Sequence, residues 1–153
     1  MLDRLLPARI DNVYAGHKLA VWLFGLVVAL KAAQSMSIIF NGYPTAMGAD
    51  GIPLDTFTPD AAKSVLAALA QGSLWRLLFC SFGGIVLVRY RSAIPLMLAL
   101  LALHYLAGQL VYLFVPLPRV GTPPGPIVNL TMFVLSIVGL SLSLWHRAAR
   151  VPR

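Results

Sequence analysis

The chain has 153 residues, of which 59% are hydrophobic and 11% charged, with a mean hydropathy of +0.81; a water-soluble domain carries roughly a quarter charged residues. Twelve Lys and Arg stand against five acids, all Asp, for a formal net charge of +7. In an apolar chain that excess points to a membrane with its basic rim on anionic lipid, and no nucleic-acid partner is expected.

The first 18 residues are too polar for the core of a signal peptide, so the first apolar run reads as a retained span. It covers 19–40, long enough for a hydrocarbon layer of ~30 Å. The second span is expected at 73–88. Before it, Thr58, Pro59 and Asp60 form a helix start: Thr caps, Pro suits the first position and Asp complements the dipole. One helix over 59–88 competes with a surface helix that breaks at Gly72, where the composition changes, and the break is preferred. The third span covers 93–114, with Pro95 tolerated in its first turn, and the fourth 127–145. The Pro-rich segment between them reads as a stiff connector.

These elements predict an all-α integral membrane protein: a single domain over 1–153 with four transmembrane helices. A loop over 41–72 would contain a short extracytoplasmic interfacial helix before the second span. Arg4, Arg9, Lys18, Arg89, Arg91, Arg147, Arg150 and Arg153 fall on the side of the termini, Lys63 and Arg119 on the other, with Arg76 at the boundary. The positive-inside rule then predicts cytoplasmic N and C termini in a bacterial inner membrane, with Asp50, Asp55 and Asp60 outside. Tyr14, Trp22, Trp75, Tyr90 and Trp145 lie near predicted span ends, as interfacial belts require. Within the first span Gly25, Ala29, Ala33 and Ser37 recur every four residues and predict a close helix contact. Cys80 with Gly84, and Ser136 beside Gly139, offer weaker counterparts.

The residues that carry chemistry are few. Cys80 is the single cysteine, so thiol-quinone exchange and a Cys-rich metal site are excluded, and there is no Glu for an HExxH site. A b-type haem wants facing His ligands, and only His104 lies inside a span; His17 and His146 sit at span ends. No cofactor is assigned. No predicted span contains an acid, whereas proton pumps and cation antiporters rely on one.

Counted from the cytoplasmic ends, Lys31, Arg76 and His104 share one depth, about 16 to 18 Å in. Gln34 and Gln109 lie a turn further out. Charged groups at that depth cost at least ~2.5 kcal/mol on insertion scales and mark sites or pairings. Arg76 beside Trp75 also suits a snorkelling anchor, and Lys31 could pair with Asp50, Asp55 or Asp60. Lys31 lies about 200° around the first helix from Ala33 at 100° per residue. The polar face and the small-residue stripe therefore meet different surroundings, one of them a cavity or a second subunit. The expected role is an accessory or assembly subunit of a membrane complex, or a lipid-interacting module. Its partners would be membrane lipids and either other subunits or a homo-oligomeric copy. The rival is binding or transport of a hydrophobic anion by Lys31, Gln34, Arg76, His104 and Gln109. An enzyme acting on a lipid or isoprenoid is a third reading, with the loop Asp residues and His104 as its candidate acids and bases.

Overall fold

The computed structural model describes residues 9–145 together with Leu5 and Pro7. Arg4, Arg147, Arg150 and Arg153, which entered the charge argument, and His146 lie outside the described residues.

Helix α1 spans Lys18–Phe40. His17 caps it, its Nδ1 accepting from the Leu19 amide at 3.2 Å, while its own N–H donates to the Leu142 carbonyl. A seven-residue helix α2, Gly42–Gly48, and a 3-10 turn, Leu54–Thr56, follow. Helix α3 runs over Pro59–Arg89, α4 over Ile94–Phe114 after a 3-10 turn at Arg91–Ala93, and α5 over Gly125–Leu144. The last two begin with Pro95 and Pro126 in their first turns, where a missing N–H costs nothing. All four long helices have the length and hydropathy to cross a membrane. Their outward faces agree with that: Trp22, Val88, Leu113 and Phe114 are each more than two-thirds exposed, as lipid permits and water does not.

The first, third and fourth spans fall within two residues of their predicted ends. The second differs. The expected break at Gly72 is absent, and α3 continues unbroken for 31 residues, about 46 Å. The start signal is read correctly: the Thr58 hydroxyl accepts from the Ala61 amide, and Pro59 and Asp60 occupy the first turn. One glycine costs a helix only ~1 kcal/mol relative to alanine, less than the hydrogen bonds a break would free in an apolar medium. The stretch before Gly72 is therefore the start of the second span and not a separate helix, and the short helix that precedes the span is Gly42–Gly48. The loop shrinks to 41–58, and Trp75 lies within the helix.

Around the bundle the order is α3, α1, α5, α4. Helix α1 packs along α3 and α5, and α4 along α5, but α3 and α4 touch little and leave a lateral gap. The half of the bundle next to the chain ends has an apolar core of Phe24, Val27, Cys80, Val86, Ile94, Met97, Leu98 and Met132. Two glycines bring the helices close there. A Cβ on Gly83 would stand 3.1 Å from Val28 and one on Gly139 3.2 Å from Leu98, whereas a Cβ on Gly84 would meet nothing. At the opposite end the 41–58 loop folds back over the bundle. Ala46, Ile52 and Leu54 bury against Val65, Leu66 and Leu69 of α3 and Leu117 of the connector. Backbone bonds Val120 N–H to Gly51 O (2.9 Å) and Gly125 N–H to Ala49 O (2.8 Å) fasten it.

Candidate functional site

Between the apolar core and the folded-back loop lies a polar cavity of about 360 Å³. Lys31 and Gln34 reach it from α1, Arg76 from α3, and His104 and Gln109 from α4. Counting along three antiparallel helices puts these five side chains at matched heights, and the bundle order turns them onto one space. Asp50 and Asn129 complete the lining from the loop and from α5.

Lys31 Nζ donates to Asn129 Oδ1 at 2.8 Å. Of the three Asp residues weighed as its partner, none takes that place: Asp60 pairs with Lys63 at 3.8 Å on the surface, Asp55 is exposed in the 3-10 turn, and Asp50 lines the cavity with no ion pair to Lys31. An amide satisfies one of the three ammonium donors and cancels none of its charge. Arg76 points inward rather than snorkelling outward; its Nε is buried without a hydrogen-bond partner. One turn earlier on the same face, the Ser73 hydroxyl is equally unpartnered in a side chain 1% exposed. Among the described residues the cavity thus presents two basic side chains, Lys31 and Arg76, against the single carboxylate of Asp50.

Burial pushes the Asp50 carboxyl above its ordinary range, opposed by Arg76 and by Arg119 of the connector. Arg119 stacks over the Tyr112 ring at 5.2 Å. Tyr105 of α4 stacks on Phe133 of α5, with centroids 4.6 Å apart, and fixes the wall that carries His104. Across the cavity the Ser37 and Thr45 hydroxyls bond at 2.9 Å, tying α1 to α2.

The small-residue stripe does not make one contact face. Gly25 faces Leu87 of α3, Ala29 and Ala33 are exposed, and Ser37 lines the cavity. A spacing of four residues advances 40° beyond a full turn each time, so the four positions spread over about 120°. The face of α1 buried within the bundle is instead Phe24, Val27, Val28, Ser35 and Ile38.

No protein family, curated protein or solved structure matches the chain.

Asn129 and Ser73 are the site residues that sequence reasoning passed over. Asn129 had a signal: it is an amide inside an apolar span, one turn beyond the connector. Ser73 had none, because serines in helices commonly bond their own backbone. No group of three or more potential metal ligands occurs among the described residues.

Proposed function

We propose that this protein binds a hydrophobic anion at an intramembrane basic site. The observation that carries the reading is the excess of basic groups in one cavity: Lys31 has a neutral partner, the Arg76 Nε has none, and Asp50 offers one carboxylate to the two. Buried cations are costly unless paired, and a bound anion supplies the missing partner. Gln34 and Gln109 add donors at the rim, and His104 lies on the side of the cavity nearest the lateral gap.

On the same reading the basic residues at the terminal end orient the protein in a bacterial inner membrane with both termini cytoplasmic, that rim against anionic lipid. An accessory role in a larger complex, or self-association, draws support from the exposed α1 face carrying Leu26, Ala29, Leu30 and Ala33. A helix facing lipid has the same appearance, whereas the charge of the cavity supports anion binding.

The test is equilibrium binding of radiolabelled dodecyl phosphate to the purified protein in phosphatidylcholine nanodiscs. Lys31→Met, which keeps the length of the side chain, is expected to weaken binding about tenfold or more, the scale of one charge-assisted hydrogen bond. Its melting temperature should stay near that of the wild type. Undiminished binding in Lys31→Met and in Arg76→Gln together overturns the reading.

A further inference from the structure

The polar cavity is not the only space that these residues border. An apolar cleft of about 510 Å³ runs between α3 and α4, walled by Trp75, Phe79, Leu100, Leu103 and Ala107. Lys31, Gly72, Arg76 and His104 line both spaces, so the cleft and the cavity adjoin at the basic residues. The cleft lies where α3 and α4 leave the bundle open on its side. At its far end the cavity is overlain by the 49–52 loop, fastened to the connector and to α5 by backbone hydrogen bonds. The approach left open is therefore from the bilayer.

Polarity changes sharply along this path. Its outer part offers hydrocarbon and aromatic surface. Its inner part holds two cations, the buried unpartnered hydroxyl of Ser73 and the buried unpartnered Nε of Arg76. Ser73 and Arg76 stand three residues apart on one helix, so their donors converge on the same face. A guanidinium edge with a hydroxyl beside it matches a compact oxyanion such as phosphate or carboxylate. Resting on the anion-binding reading, we propose that the occupant is an acidic amphiphile taken laterally from the bilayer, its oxyanion head on Ser73, Arg76 and Lys31 and its hydrocarbon chain in the α3/α4 cleft.

Gly72 provides a means to separate head from chain. It stands at the junction of the two spaces, and a Cβ there would meet nothing within 4 Å. Gly72→Phe starts from a Cβ that meets no neighbour and places a ring at the junction, and the substitution favours the helix.

The experiment uses dodecyl phosphate with a terminal photoreactive diazirine, bound to the full chain in phosphatidylcholine nanodiscs, with adducts mapped by peptide mass spectrometry. Expected adducts fall on Phe79, Leu100, Leu103 and Ala107. Labelling should drop about tenfold in Arg76→Gln and two- to fivefold in Ser73→Ala, as expected for a charged and a neutral hydrogen bond. It should be lost in Gly72→Phe at unchanged melting temperature. Methyl phosphate, which has the head alone, should compete only at far higher concentration. Suppression by Arg76→Gln with labelling indifferent to Gly72→Phe, or full competition by methyl phosphate at equal concentration, overturns the lateral amphiphile and leaves the anion site standing. Labelling indifferent to both Lys31→Met and Arg76→Gln removes the anion site as well.

Discussion

At the scale of single residues, the site turns on which partner each charge has. Three Asp residues of the loop region were candidates to neutralise Lys31, and instead it bonds to the neutral Asn129. Asp50, the one carboxylate that reaches the cavity, stands among Lys31 of α1, Arg76 of α3, His104, Tyr105 and Tyr112 of α4, and Arg119 of the connector. An incoming anion must share these cations with the Asp50 carboxylate. Burial holds the Asp50 carboxyl above its ordinary range despite Arg76 and Arg119, so its neutral form persists to higher pH than for an exposed aspartate. Below its pKa the group is uncharged and the cations are available; above it, the carboxylate competes. Affinity for a permanently ionised probe such as dodecyl sulfonate should therefore be highest in acid and fall as pH rises through the raised pKa of Asp50. Asp50→Asn is expected to hold the high-affinity level throughout, whereas His104→Asn should keep the slope. A slope that survives in Asp50→Asn but vanishes in His104→Asn would assign the titration to the imidazole and defeat this account.

At the scale of elements, apolar length located the spans, and the errors cluster where glycine was weighed. Gly72 reads in sequence as a boundary, yet α3 passes through it, because a local propensity cost of about 1 kcal/mol yields to backbone hydrogen bonding along the whole helix. The depth count that aligned Lys31, Arg76 and His104 works because helical rise is uniform. It says nothing about rotation, so neither the inward turn of Arg76 nor the partnership with Asn129 was legible: both depend on how α3 and α5 are rotated against α1. The folding-back of the loop was equally out of reach, since it rests on a few scattered apolar side chains and on backbone bonds that carry no side-chain signature. One of them is exacting. A Cβ on Gly125 would lie 2.5 Å from the Ala49 carbonyl oxygen and 2.9 Å from Asp50 Oδ1. Gly125→Ala should push the 49–52 loop off α5, break the Gly125 N–H to Ala49 O bond and destabilise the fold by about 1 to 3 kcal/mol. Gly72→Ala, facing open space, should be neutral or stabilising by up to about 1 kcal/mol. Thermal unfolding of both variants in the same detergent checks the contrast, and equal effects of the two substitutions would contradict the docked loop.

At the scale of the whole molecule, the bundle is divided across its length. The end next to the chain termini is built on the apolar core and carries Arg9, Lys18, Arg89 and Arg91. The opposite end holds the cavity, the folded-back loop and Asp50, Asp55 and Asp60, with Lys63 and Arg119 as its basic residues. Helix direction enforces part of this division: Lys18 opens α1 and Arg89 closes α3, so antiparallel neighbours bring both charges to one end. If that end is retained in the cytoplasm by its charge, the cavity belongs to the outer half of the membrane and draws its occupant from the outer leaflet. Single cysteines placed in a Cys80→Ser background test the orientation, since Cys80 itself is buried. Asp55 and Arg91 are both exposed and lie at opposite ends. In intact bacterial cells a membrane-impermeant maleimide should label Asp55→Cys at once and Arg91→Cys only after permeabilisation. The reverse pattern would place the cavity on the cytoplasmic side. Equal labelling of both would mean that the basic groups at one end are too few to fix the insertion of this chain, and that the protein inserts in both orientations.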